Sequence, residues 1–332
     1  MITNSTPSFY KRGDDYGGQQ VSSFLKKVFR KKTSGSKPDS NQDQSLDHQQ
    51  VLINKTDANL KDTTSESSLL KPDQEYPQLI VGVAHSVGIQ RDQNEDALFT
   101  LTTSVVAGEK SFHFGLYIIA DGMGGHENGE IASSVAIDRL ASYVVRCLYL
   151  PLLSTANNIV ELSFQEIMQA GIIQAHQTIK KEALGGGTTL TSALILGDQM
   201  TIAHVGDSRA YMVSANGNFK LLTHDHSLVK RLEEIGQISA EQAVTHPQRN
   251  VLYRALGQGE PFEPDITTFQ IKPGEQILIC SDGLWGLVSD TDMEAIIRTS
   301  DEPQHACQTL INLANSAGGP DNISVIIVRM PE

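Results

Sequence analysis

The chain is poor in several things, and each shortage excludes a class. Cysteine occurs three times in 332 residues, at Cys147, Cys280 and Cys307, and none form a C-x-x-C pair. A zinc ribbon and a disulfide framework are thereby excluded. So few thiols suit a reducing compartment, and the expected location is the cytoplasm. No apolar run reaches the roughly 18–20 residues of a membrane span; the longest candidate, 143–153, is interrupted by Arg146 and Pro151. The N-terminus has no apolar signal core. Cations are short of anions, 26 Lys and Arg against 39 Asp and Glu, for a net charge of −13. The shortage is uneven. Residues 1–75 hold 11 cations and 10 anions, a net of +1, and the remainder holds 15 against 29, a net of −14. A domain this acidic repels phosphate backbones, so no nucleic-acid partner is expected. The surplus serves either solubility or a cation site that needs several carboxylates.

Residues 1–77 are polar with no sustained period and read as a disordered arm. Within it, 21–32 (VSSFLKKVFRKK) places Val21, Phe24, Leu25, Val28 and Phe29 on one helix face, with five cations covering the rest. That pattern suits an anionic membrane surface or an acidic partner. The plainer alternative is a short solvated helix, marginal in water by itself. From residue 78 the composition is globular and begins a second unit, 78–332. Hydrophobic residues at 39% and charged residues at 20% are ordinary globular usage, which excludes collagen-like and coiled-coil architectures. Strands are expected at 79–84, 112–121, 277–282 and 322–329. Helices are expected at 128–150, 161–184, 227–236, 291–298 and 303–317. Residues 188–214 read as a three-strand antiparallel meander. Antiparallel strands with helices in pairs between them indicate a layered α+β domain.

Four carboxylates share one context, the end or edge of an apolar strand: Asp121 in IIADGMGGH, Asp207 in AHVGDSR, Asp282 in LICSDGL and Asp321 in GGPDNIS. A tight turn after the first three leaves each at the rim of a sheet. Four at one rim repel one another and stay ionised only with cations between them. Oxygen donors without His or Cys favour Mg²⁺ or Mn²⁺ over zinc. Each Asp-Gly alone marks an ordinary turn; the argument rests on recurrence. A fifth acidic element, RDQNEDA, sets Arg91 four and five residues before Glu95 and Asp96. Arg91 is either a fork for phosphate oxygens or a surface residue paired with Asp92 or Glu95. Other phosphate chemistries fail by absence. The residues six beyond the three cysteines are Leu153, Gly286 and Leu313, so there is no Cys-x5-Arg frame. No P-loop and no G-x-S-x-G elbow occur. Metal-activated water remains.

These segments, with GTTLTSALI (187–195), LTHDHSLVKRLEEIGQIS (222–239) and HPQRNVLYRALG (246–257), resemble in order the type 2C metal-dependent serine/threonine protein phosphatases in their bacterial form. The resemblance covers about 255 residues and excludes the arm. It implies a four-layer α/β/β/α sandwich, two central antiparallel sheets flanked by helix pairs. It implies two Mn²⁺ or Mg²⁺ ions, with a weaker third. By motif, Asp121 resembles the bridging carboxylate, with the Gly122 carbonyl beside it. Asp282 and Asp321 resemble ligands of the first ion, Glu95 and Asp96 direct or indirect partners of the second, and Asp207 with Asp282 the third site. Arg91 resembles the phosphate clamp. Residues 227–250 resemble the flap beside the site. The implied reaction is hydrolysis of phosphoserine and phosphothreonine by metal-activated water, without a phosphoenzyme. The animal form has His two residues after the bridging Asp; here that residue is Met123, and His126 follows three later. His126 is either the general acid or a polar residue at a helix start. The expected partners are phosphoproteins made by serine/threonine kinases, and the expected state is a monomer. Two other readings stay open: a catalytically idle phosphoprotein-binding module, and an enzyme for small phosphorylated metabolites.

Overall fold

The computed structural model describes residues 78–332 except 108–109, 125, 154–161 and 215; within elements, the side chains of 106, 107, 110, 111, 126 and 127 are also outside the description. The arm 1–77, with the basic stretch 21–32, lies outside the described residues. The chain opens with β1 (Ile80–Ser86), β2 (Asp96–Ala107) and β3 (Lys110–Met123). Helix α1 (His126–Val144) passes through a π turn, Val145–Tyr149, into a last turn, α2 (Leu150–Leu153). The expected helix thus changes pitch near its end. The Leu150 N–H reaches back to the Val145 carbonyl, next to Pro151, which has no N–H to continue the α pattern. Helix α3 (Phe164–Glu182) starts at Ser163, whose hydroxyl accepts from the Glu166 N–H while Glu166 reaches back to the Ser163 N–H.

There follow β4 (Gly187–Thr188), β5 (Leu190–Leu196), β6 (Gln199–Val205), β7 (Arg209–Val213) and β8 (Phe219–Leu221). Helices α4 (Leu228–Glu234) and α5 (Ala240–Val244) precede β9 (Asp265–Gln270) and β10 (Gln276–Cys280). The chain ends with α6 (Asp282–Trp285), α7 (Asp290–Thr299), α8 (Pro303–Ser316) and β11 (Ile323–Arg329).

Among the described residues one sheet has the order β1-β11-β10-β7-β8 and the other β2-β3-β5-β6-β9, with β4 added against β3. All pairings are antiparallel. Alternation along the strands separates three apolar layers. Leu116 and Ile118 of β3 pack against Leu140 of α1 and Ile172 of α3. Their neighbours Tyr117 and Ile119 face Ile277, Ile279 and Ile326 of the other sheet. Leu278 and Ile327 pack on Met293 of α7 and Leu310 of α8. Both faces of the central strands are therefore apolar, and the layers are helix pair, sheet, sheet, helix pair.

The meander expected over 188–214 is corrected. Strands β5 and β6 pair, but β7 pairs with β10 and β8 in the opposite sheet. The chain crosses between sheets at Gly206-Asp207-Ser208, where Gly206 takes φ +107°, a conformation glycine adopts without strain. That crossing sets Asp207 at one end of the sandwich.

Candidate active site

Five separate stretches meet there. Arg91, Glu95, Asp121, Gly122, Asp207, Asp282 and Asp321 all line one cleft of 290 Å³. Asp96 does not line it. It lies opposite Asp121 in the β2–β3 register, only 8% exposed, with the Ser281 hydroxyl donating to its Oδ2 at 2.9 Å. His126 is the first residue of α1, and its side chain is outside the description. Met123 ends β3 and lines the cleft.

The backbone around each carboxylate is tied by residues far away in sequence. The Asp121 N–H donates to the Thr189 hydroxyl at 3.0 Å, and the Asp121 carbonyl accepts from the Thr189 N–H and the Thr188 hydroxyl. Thr189 also meets the Ser208 hydroxyl at 2.8 Å, one residue past Asp207. The Asp207 carbonyl accepts from the indole N–H of Trp285 at 3.0 Å. Asn322, 4% exposed, accepts from the Glu95 N–H at 2.8 Å and donates to the Val87 and Gln93 carbonyls. It ties the 87–95 loop to the start of β11. Thr188, Thr189, Ser281, Asn322 and Trp285 carry no role in the sequence reading. Ser281, Asn322 and Trp285 lie inside or beside the carboxylate motifs, whereas Thr188 and Thr189 lie in the separate stretch 187–195.

The electrostatics are one-sided. Burial pushes the Asp96 carboxyl up to about 7, and the charges of Asp282 and Asp321 add to it. Burial, then the charge of Asp321, pushes Asp282 up to about 6. Asp121 and Asp207 are raised well above the ordinary carboxylate value, by burial first and by their acidic neighbours second. Lost hydration and like charges act in the same direction. Asp96 Oδ1 and Asp282 Oδ1 are buried with no hydrogen-bond partner. Arg91 is the cation lining this cleft, and its guanidinium donates to Asp321 Oδ2 at 2.9 Å and to the Pro320 carbonyl at 3.3 Å. Sequence offered Asp92 or Glu95 as its ion-pair partner; the partner is Asp321.

Orphaned carboxylate oxygens beside a cleft floored by acids fit hard divalent cations, and among the described residues neither imidazole nor thiolate lines it. Among the described residues no three His, Cys, Asp or Glu side chains already converge on one point. The carboxylates are spread around the cleft, as mutual repulsion dictates, and Asp321 is turned onto Arg91. Gly122 leaves the wall without a side chain: a Cβ there would lie 2.6 Å from the Glu95 carbonyl.

The described residues contain no helix long and apolar enough to cross a membrane. The family model of protein phosphatase 2C matches residues 80–323. A serine/threonine phosphatase, stp, of Listeria welshimeri is 37% identical over 214 residues, covering 64% of this chain and 84% of the relative. The solved structure of the Mycobacterium tuberculosis serine/threonine phosphatase PstP/Ppp is 30% identical, with a TM-score of 0.63 over 77% of this chain and all of the other. A PstP catalytic domain solved in complex with two manganese ions is 29% identical, with a TM-score of 0.62 over 77% of this chain and all of that one. With the fold, the cleft and a match spanning most of the chain in agreement, this chain belongs to the protein phosphatase 2C family and is a serine/threonine phosphatase.

Proposed function

We propose that this phosphatase acts on phosphoserine and phosphothreonine in proteins with divalent cations, Mn²⁺ or Mg²⁺. Asp121, the Gly122 carbonyl, Asp282 and Asp321 would hold them, with Glu95 and Asp96 as further direct or indirect partners. Asp207 with Asp282 would offer a weaker third position. The observation that carries this reading is the stranded negative charge: Asp121, Asp207 and Asp282 line one cleft, Asp96 is buried opposite Asp121, all four are raised by burial and repulsion, and two have unpartnered oxygens. When bound, such ions bring the pKa of water towards neutrality and offset charge on phosphoryl oxygens.

The chain's own residues bind, orient and move protons. The Arg91 side chain is 48% exposed and stands at the rim. Its planar fork can turn from Asp321 to phosphate oxygens, and it gains two parallel hydrogen bonds there. Thr189 and Asn322 hold the Asp121 and Glu95 backbones, so these carboxylates would present fixed oxygens to the cations. The departing seryl or threonyl oxygen needs a proton, and we assign that proton to His126. A thiolate nucleophile is disfavoured. Cys280 and Cys307 are buried, and burial pushes both thiols far above their ordinary value. We further propose that 78–332 is the catalytic unit and 1–77 a separate arm.

The test is phosphate release from a phosphothreonine peptide with and without Mn²⁺, beside Asp282→Ala. Release that requires the metal and disappears in the variant is expected. Metal-independent release, or an active variant, would sink the assignment. In the same assay His126→Gln should lose more on phosphothreonine than on p-nitrophenyl phosphate, whose leaving group needs no proton. Equal losses would remove His126 from the mechanism.

A further inference from the structure

A second cavity, larger than the cleft, has a volume of 600 Å³. It opens from the same rim, because Arg91, Asp207, Asn250, Asp282 and Asp321 line both. One wall is formed by α4 and α5, neither of which buries a single residue. In α5, Ala240, Ala243 and Val244 fall at i, i+3 and i+4 and all line the cavity. Val244 is 73% exposed. The opposite wall includes Trp285 and Leu287. It is held in place: the indole N–H donates to the Asp207 carbonyl, and the Arg209 guanidinium stacks 3.6 Å over the ring.

Asp207 and Asp282, shared with the cleft, have no ion-pair partner among the described residues, but the other charges of this trench are nearly all answered. Arg91 pairs with Asp321, Arg209 with Asp225 and Lys230 with Glu233. Arg249 is exposed and, among the described residues, has no acidic partner. It lines the trench and not the cleft.

We infer that this trench receives the substrate polypeptide beside the phosphoresidue and selects for an apolar side chain over Val244 and an acidic one against Arg249. The inference rests on the phosphatase reading of the cleft and deepens it. Three observations support it. A polypeptide whose phosphate meets Arg91 must leave the cleft, and the trench begins at that residue. The α5 face is apolar and uncovered, and a peptide side chain would remove it from water. Among the trench-lining charges that do not also line the cleft, the unanswered one is Arg249, and a cation there attracts carboxylates and repels lysines.

The experiment uses the full chain with Mn²⁺ and two phosphothreonine peptides that differ only in flanking residues, Leu and Glu in one, Leu and Lys in the other. Wild type should favour the Glu peptide in kcat/KM by about fivefold, the scale of one exposed charge pair. Arg249→Glu should invert the order, through KM rather than kcat. Val244→Ser should reduce kcat/KM for a Leu-flanked peptide relative to a Gly-flanked one. Turnover with the same Glu-to-Lys ratio in wild type and Arg249→Glu would overturn the trench alone. No turnover of peptides or p-nitrophenyl phosphate would overturn the phosphatase reading and this inference with it.

Discussion

At the scale of single residues, Asp121 is the position where opposing demands are greatest. Its carboxyl is raised by burial and then by Asp96, Asp282, Asp207 and Asp321. In the metal-free protein this charge destabilises the fold, because neighbouring carboxylates and lost hydration both disfavour it. Asp121→Asn keeps the shape and removes the charge. The metal-free variant should therefore melt a few degrees higher than wild type, about 1–2 kcal/mol for a domain this size. Its melting temperature should no longer rise normally with Mn²⁺, and its phosphatase activity should be lost. A variant that melts lower than wild type without metal would show that Asp121 is stabilising in itself. The four aspartates were legible in the sequence because each ends or precedes an apolar strand beside a turn. The residues that aim them were not. Thr189 reaches Asp121 across 68 positions, and Asn322 reaches Glu95 across 227. Nothing local in a threonine or asparagine marks such a bond.

At the scale of elements, the cleft depends on how closely the end of β3 approaches α1 and the 87–95 loop. Gly122 is the contact point. An added Cβ would collide with the Gly129 carbonyl of α1 and lie 2.6 Å from the Glu95 carbonyl. Both obstacles are backbone, so no rotamer change relieves them. Gly122→Ala should cost about 2–3 kcal/mol, the range for overpacking a tight interior site. Urea unfolding should show the midpoint fall with an unchanged slope. At Gly129 the first obstacle is the flexible carboxylate end of Glu95, so Gly129→Ala should cost less and displace Glu95. An equal loss at both sites would mean that the backbone approach is looser than described. Elements were legible where burial is complete. Strands β5, β10 and β11 are apolar runs, and β3, α3 and α8 have clear periods or caps. Strands β2 and β9 escaped the reading. Both are sheet edges, and β9 (DITTFQ) is mostly exposed, with polar residues on either face. The crossing from β6 to β7 escaped for the opposite reason: both strands are buried in all but their first residue, so neither alternation nor polarity distinguishes a hairpin from a change of sheet.

At the scale of the whole molecule, two sets of buried titratable groups act on stability in opposite directions. Burial lowers His204 to about 4, from an ordinary 6.5, and also lowers His176 and His226. These rings bind the structure together: His204 meets the Thr191 hydroxyl and the His224 carbonyl, and His226 accepts from the Gly206 N–H while facing Asp265. Between the folded and unfolded values the unfolded chain binds more protons. Their contribution is therefore complete above about pH 6.5 and is lost as the pH falls towards 4. The aspartates at and behind the cleft behave in reverse. Asp96 and Asp282, raised to about 7 and about 6, bind more protons in the folded state. Their contribution is present below about pH 4 and is lost as the pH rises through 6 to 7. A cation in the cleft removes only the second effect, since it compensates the ionised carboxylates and leaves the imidazoles untouched. The rise in melting temperature caused by Mn²⁺ should thus be larger at pH 7.5 than at pH 5.5. The Mn²⁺-loaded protein should still lose stability below pH 6.5, and chelation at pH 7.5 should cost more than chelation at pH 5.5. A calorimetric series across this range, with Mn²⁺ and with chelator, separates the two. A metal-induced increment that stays constant with pH would mean that the aspartates are not the groups the cation compensates.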